Sequence, residues 1–347
     1  MISRARSIWG EHRKTILGVV FVIVLVVALG RWMISIPSWP VWTGFGEHNL
    51  WDVLDLLIVP IALAVVAYFF RQAERGDERR IAEQRRATDL EIAEDDRREA
   101  ALQAYFDRMA ELLLERKLRE SKPEDEVRAV ARARTSTALR RLDARRNKNL
   151  LQFLYESDLT ANDDPLQILI GLDLSGANLQ GAILQGANLQ NVNLQGANLQ
   201  EADLREANLQ EASLVGADLQ EANLRDANLE GARLSWAKLE GANLRKANLR
   251  EANLRGAKLL WANLRGVNLE GASLLWANLQ GVNLRGVNLR GTYLSGANLE
   301  GAKLQDANLQ DANLQHASLQ GAIVTPEQLA KAVSLEGATM PDGTKHD

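Results

Sequence analysis

Leucine falls at every fifth residue from Leu174 to Leu319, thirty times without a miss. Alanine stands two places before nearly every one, as in Ala177-Asn178-Leu179 and Ala207-Asn208-Leu209. A period of five fits neither an α-helix, at about 3.6 residues per turn, nor a strand, at about 2.0. It fits a solenoid, in which each unit of five is one side of a coil and the coils stack. Leu at position i and Ala at i−2 then share the inside. Positions i−1, i+1 and i+2 face water, and their residues agree: Asn, Asp, Ser or Lys, then mostly Gln, Arg or Glu, then Gly, Glu or Asp. Glycine at i+2 permits the positive φ of a sharp corner. Leu172, Val192, Val267, Val282, Val287 and Thr292 are wider exceptions at the alanine position.

The outward residues give the number of sides. Arg205, Arg225, Arg245, Arg265 and Arg285 recur every twenty residues, and so do the asparagines from Asn188 to Asn308. Twenty means four sides per coil. The thirty units make about seven and a half coils, roughly 36 Å long at about 4.8 Å per coil.

From about Leu172 to Val324 the chain resembles the pentapeptide-repeat family, whose motif is A-[DN]-L-x-x. The resemblance implies a β-solenoid, specifically a right-handed quadrilateral β-helix. Some members of that family mimic DNA and act on type II topoisomerases; those are soluble, strongly acidic and dimerise through a helix end. Residues 171–324 here hold fifteen Asp and Glu against thirteen Lys and Arg, a net of −2. That field is too weak to imitate a phosphate backbone. Past Val324, Thr325-Pro326-Glu327-Gln328 reads as a capping box, with Thr at N-cap, Pro at N1 and Gln at N3. A short helix through about Val333 should cover the open coil. Ala338-Thr339-Met340 could add a fragment of one more, and the tail to Asp347 is expected to be loose.

The amino-terminal part is different material. Ile16 to Leu29 is an unbroken apolar run, and Leu50 to Phe70 is a second, interrupted by Asp52, Asp55 and Pro60. Each approaches the twenty or so apolar residues that span a bilayer. Trp9, Trp32, Trp39, Trp42 and Trp51 flank them, as in an interfacial belt. Basic residues crowd positions 1–14 and 71–86 but not the loop between the runs, so the positive-inside rule places both ends in the cytoplasm. A cleaved signal peptide ending near Ala28-Leu29-Gly30 is the rival reading. Asp52 and Asp55 read as carboxylates at a helix N-terminus rather than as an ion site.

The expected organisation is therefore a cytoplasmic N-terminus (1–14), a first transmembrane helix (15–36), an external loop (37–49) and a second transmembrane helix (50–70). A cytoplasmic helical linker (71–165), the pentapeptide-repeat β-helix (166–324) and a cap helix with tail (325–347) follow. This is a multi-pass protein of the inner cell membrane. Within the linker, Arg71 to about Glu120 reads as one long helix with a late apolar stripe at Leu102, Tyr105, Phe106, Met109, Leu112 and Leu113. After Ser121-Lys122-Pro123 a basic helix restarts, with eight basic residues against two acidic ones from Glu126 to Lys148. It contacts lipid headgroups or nucleic acid, or pairs with the acidic helix before it (Glu91, Glu94, Asp95, Asp96). Leu150 to Tyr155 should cap the first coil. The stretch from Leu102 to Leu159 is similar to one in bacterial membrane proteins that end in pentapeptide repeats, which implies architecture and no mechanism.

Catalytic equipment is missing from the sequence. There is no cysteine, the four histidines are scattered, and no Walker A or G-x-S-x-G motif occurs. No enzyme, no cofactor, no metal site and no nucleic-acid partner are expected. The expected partners are the lipid bilayer, through two spans, and a protein, with homo-oligomerisation left open. The chain reads as a membrane-anchored cytoplasmic scaffold for protein–protein interaction. The alternative is a regulatory subunit of a channel or transporter; a topoisomerase-directed DNA mimic ranks third. Two outward features are candidate interaction sites. One is the arginine column, where Arg245, Arg265 and Arg285 lack neighbouring counter-charges. The other is a cleft at which Trp236 and Trp276 flank Gly256 at spacing twenty, with Leu260, Trp261 and Leu275 close by. The helical linker, through Tyr105 and Phe106, is the internal competitor for that patch.

Overall fold

The computed structural model describes Ala28 and residues 50–122, 124–160 and 167–347. It divides into two compact units, Met1–Glu94 and Asp95–Asp347. In the first unit, Ala28 and everything from Leu50 onward is helical. The expected N-terminus at 1–14, the first span at 15–36 and the loop at 37–49 lie outside the described residues, Ala28 excepted. The expected second span is the start of a helix, α1 (Leu50–Leu114), that runs on without a break. Among the described residues no helix is long and apolar enough to cross a membrane. The inner-membrane, multi-pass localisation and the bilayer as partner are corrected on this finding. The physical reason is length. Between Asp55 and Arg71 the uncharged run is fifteen residues, Leu56 to Phe70, with Pro60 inside the unbroken helix. Fifteen helical residues rise about 22 Å, short of a hydrocarbon core of about 30 Å.

In the second unit, α1 ends before Lys117, which turns left-handed at φ 52 and leads into a 3-10 turn, Leu118–Glu120. Leu102, Tyr105, Met109 and Leu112 recur at three- and four-residue spacing and are buried. They form one face that packs locally on two shorter helices, α2 (Glu126–Arg141) and α3 (Ala144–Glu156). The expected single basic helix is thus two, broken at Leu142-Asp143. Asp143 is the cause: its side chain accepts from the Arg146 N–H as the N-cap of α3. Arg146 is fully buried, and its guanidinium pairs with Asp95 at 2.8 Å, Glu99 at 2.9 Å and Asp143 at 2.5 Å. Arg128, Arg132, Arg140, Arg145 and Arg146 serve internal pairing and docking. Ser136 Oγ donates to the Asp173 carbonyl at 2.7 Å, Arg140 pairs with Asp173 at 3.1 Å, and Arg132 donates to the Ile170 carbonyl. Buried Asn147 donates from Nδ2 to the carbonyls of Leu139 and Leu142 and, at 2.8 Å, to that of Asn178. Leu150, Leu151 and Leu154 of α3 join the same core as the first coils. The cap is closed by Thr160, whose carbonyl accepts from Asn188 N–H at 2.8 Å.

The carboxyl part is a parallel β-solenoid with four sides per coil. Each side pairs in parallel with the side twenty residues later, as Asn188 with Asn208 and Asn208 with Asn228. Leucine and alanine face inward and are essentially fully buried along the whole column, Leu249 included. Backbone groups are satisfied from coil to coil: Leu209 N–H donates to Asn228 O at 2.7 Å and Asn228 N–H to Ala207 O at 2.9 Å. The one inward hydroxyl, on Thr292, donates to the Leu289 carbonyl at 2.7 Å. The asparagines at i−1 are structural. Asn248 donates from Nδ2 to Asn228 Oδ1 at 3.1 Å, while its own Oδ1 accepts from Arg250 N–H at 3.3 Å. Corner residues at i+2 are left-handed whether glycine or not, as in Glu206 at φ 58.

At the far end, α4 (Pro326–Leu329) carries the capping box but spans four residues only. Gln328 Nε2 donates to the carbonyls of Leu304 and Ala307, filling the open side of the coil. The insertion lengthens the repeat by one, so Asn313 pairs with Ser334 and Ser318 with Thr339. The tail expected to be loose is paired instead. Thr339 bridges Lys345 in antiparallel sense, and His346 N–H donates to Ala338 O at 2.9 Å. An antiparallel return thus covers the edge at Thr339, one side of the last coil that another chain could extend.

Candidate interaction surface

The four corners of the coil lie at i+1 and i+2 of successive units, and twenty-residue spacing turns each corner into a column. One corner holds Trp236, Gly256, Trp276, Gly296, His316 and, after the inserted residue, Gly337. Large rings and glycines alternate, and the geometry explains why. A Cβ placed on Gly256 would overlap Cε3 and Cζ3 of Trp236, and one on Gly296 would overlap Cδ1 and Nε1 of Trp276. A Cβ on Gly337 would overlap the His316 ring. Each ring therefore leans over the glycine one coil later. The floor between the two indoles is not bare: the Trp236 ring lies across Gly256.

Both indoles stay in water over more than half their surface, Trp236 at 59% and Trp276 at 58%. They sit at φ 61 and φ 57, in the left-handed region that bulky L residues rarely occupy. Arg255 was not among the sequence candidates, yet its guanidinium carbon lies 4.6 Å from the centroid of the Trp276 ring. The only hint was its place twenty-one residues before a tryptophan. Leu275 occupies the same corner, half-buried. Leu260 and Trp261 lie one corner away; Trp261 is 78% exposed at φ 59, and nothing of it comes near Gly281. Tyr293, also missed from the sequence, is exposed one coil beyond Trp276.

Tyr105 and Phe106 do not cover this patch. Tyr105 is buried, its hydroxyl 2.9 Å from Thr135 Oγ1, and burial pushes its phenol well above the ordinary value. Phe106 packs against Tyr105 and, at 5.0 Å between centroids, against Phe153. Both aromatic rings are used inside the helical cap.

The arginine column runs along the corner diagonally opposite Trp236. Arg205 pairs with Asp203 at 2.6 Å, which holds that carboxyl below the usual range. Arg225 pairs with Asp226, and Arg285 reaches Asp306 one coil on at 3.3 Å. The counter-charge of Arg285 was invisible to a reading that searched only the next residue. Among the described residues Arg245 and Arg265 have no carboxylate partner. A third corner alternates in sign, with Arg250 3.5 Å from Glu230 and Arg290 3.8 Å from Glu270. Such a ladder cancels its own field and presents no run of like charge. No group of His, Asp and Glu that could hold a metal ion occurs among the described residues.

Comparison with known proteins agrees on one family. The family described as Pentapeptide repeats matches in eight copies, over residues 173–210, 202–241, 232–271, 272–311 and 292–325. No curated protein matches the chain. Among solved structures, the chain is similar to HetL, a pentapeptide repeat protein involved in heterocyst differentiation regulation from Nostoc sp. strain PCC 7120. Identity is 38%, over 51% of this chain and 91% of that one, with a TM-score of 0.23. It is similar to alr5209 of Nostoc PCC 7120 at 35% identity, over 35% of this chain and 78% of that one, with a TM-score of 0.21. QnrB1, a plasmid-mediated fluoroquinolone resistance protein, aligns at 19% identity over 50% of this chain and 89% of that one, with a TM-score of 0.32. The repeat match and the four-sided coil agree: this chain is a β-solenoid of the right-handed β-helix type and belongs to the pentapeptide-repeat family.

Proposed function

We propose that the solenoid is a protein-binding scaffold and that the corner carrying Trp236 and Trp276 is its docking edge. One observation carries this reading. Three tryptophans stand at left-handed corners, each more than half exposed. A left-handed L residue costs about 1–2 kcal/mol relative to its relaxed state. Glycine fills the same position without that cost elsewhere in each column. Glu, Asp, Lys and His hold the same conformation at other corners, so the signal is the ring itself: tryptophan is enriched among the residues that anchor protein interfaces. Arg245 and Arg265 form a separate edge, on the opposite corner, suited to an acidic surface.

The test is site-specific photocrosslinking of the full chain in cells, with a photoreactive residue at Ser235 beside the column. A discrete adduct is expected, and Trp236→Gly with Trp276→Gly should abolish it while the chain stays folded, with a melting temperature lowered by only several degrees. Arg245→Gln with Arg265→Gln should leave that adduct in place. An adduct indifferent to both tryptophans would remove the docking edge from consideration.

A further inference from the structure

We infer that the Trp236–Trp276 corner receives a proline-rich peptide in the polyproline II conformation that carries acidic side chains. The inference rests on the scaffold reading above and names its partner. Spacing is the first ground. The two indoles are two coils apart, about 9.6 Å at strand spacing. Each ring lies over the glycine of the following coil, Trp236 with its six-membered ring and Trp276 with its pyrrole edge, so the spacing is that of the corner backbone. A polyproline II helix repeats its faces every three residues at about 3.1 Å each, or about 9.3 Å. A strand presents one face at about 6.7 Å or 13.4 Å, and a helix at i, i+7 spans about 10.5 Å. Of the three, polyproline II comes nearest to the corner spacing.

Hydrogen bonding is the second ground. The corner backbone is already spent: Trp236 N–H donates to Arg255 O, Gly256 N–H to Leu275 O and Trp276 N–H to Ser295 O. An incoming strand would find no ladder to extend. What remains is the two indole N–H groups, neither of which donates to any of the described residues. A polyproline segment has the converse need, since its carbonyls lack internal donors. Aromatic-lined surfaces recognise such segments by this pairing of stacked rings and free donors.

Charge is the third ground. The twelve outward positions on and beside the column, three coils deep from Arg233 to Asn278, hold four basic residues and no acidic one. Lys238 is paired with Asp218 at 2.9 Å. Arg233, Arg255 and Lys258 are exposed and have no carboxylate partner among the described residues. Arg255 already lies against the Trp276 ring, so a carboxylate next to a seated proline meets it without rearrangement.

The probe is a synthetic peptide of repeated Pro-Pro-Glu triplets, titrated into the full chain and followed by tryptophan fluorescence. Saturable binding is expected. Trp236→Gly and Trp276→Gly should each weaken it about tenfold or more, as loss of an interface anchor does. Arg255→Gln should weaken it and reduce its salt dependence. Repeated Pro-Pro-Lys and Ala-Ala-Glu peptides should not saturate. Glycine fits the left-handed corner, so these variants fold, and thermal melts verify it. Absence of saturation by the Pro-Pro-Glu peptide, equal binding by Ala-Ala-Glu, or unaltered binding by both tryptophan variants overturns the inference. If the tryptophan variants abolish the Ser235 adduct while the Pro-Pro-Glu peptide fails to bind, the partner class falls and the docking edge stands. If the adduct survives in those variants, both fall.

Discussion

Replacing a corner tryptophan with glycine separates a ring kept for binding from a ring kept for stability. Trp236 is 59% exposed, so two-fifths of it is covered. For a side chain of about 200–250 Å² that is about 90 Å², or about 2 kcal/mol at about 25 cal/mol/Å². Glycine relieves the left-handed backbone by about 1–2 kcal/mol. It also frees the unfolded chain, which costs about 0.5–1 kcal/mol. Trp236→Gly should therefore destabilise by about 1 kcal/mol, a few degrees of melting temperature. Trp261 is 78% exposed. Its covered part is worth only about 1 kcal/mol, so Trp261→Gly should be neutral. Denaturant unfolding followed by far-ultraviolet circular dichroism measures both. A loss of more than about 3 kcal/mol at either position would refute the reasoning, because the indole would then be a structural residue and its strain repaid within the fold.

Other outcomes follow from the same structure. Leu249→Asp puts an unpaired carboxylate into the fully buried leucine column and should cost several kcal/mol, whereas surface Gln210→Ala should stay within about 0.5 kcal/mol; equal melting shifts would contradict the inward assignment. Asn147→Ala withdraws a buried donor from the Leu139, Leu142 and Asn178 carbonyls and should cost about 2–4 kcal/mol. Hydrogen exchange should show that loss in α2 and α3, and unchanged protection there would exclude the role of Asn147 as a tie. The hydrogen bond from Arg146 holds the Asp95 carboxyl below its ordinary value, and Arg146 does the same to Asp143 against the opposing effect of burial. A depressed folded-state value means stability that is present above the unfolded value, near pH 4, and lost as pH falls through the folded one. Acid exposure of the helical cap should thus begin below about pH 4 and lose its steepness in Arg146→Gln; an identical acid limb in the variant would count against it.

The solenoid was legible in the sequence because its determinants are local and repeated. Leu and Ala at two positions in five fix which side is inside, and the asparagine column fixes four sides, since a slip of one unit would break every Asn208–Asn228 contact at once. Thr325 and Gln328 announced the cap for the same reason: a capping box is satisfied within four residues. Features that depend on meeting across the coil were not legible. The direction in which Trp236 leans, the counter-charge of Arg285 at Asp306 and the stacking of Arg255 on Trp276 are set by partners about twenty residues away. The break between α2 and α3 follows from Asp143 capping a helix whose Arg146 must reach back to Asp95 and Glu99. Apolar runs and flanking tryptophans suggested membrane spans, but an apolar stretch becomes a span only when its unbroken length matches a bilayer. That test failed among the described residues, where the run between Asp55 and Arg71 is short of a bilayer and α1 continues through it. The sequence determined the coil and its inside by periodicity. Only the tertiary structure decided which outward residues remain available to a partner, because that depends on what the neighbouring coil already covers.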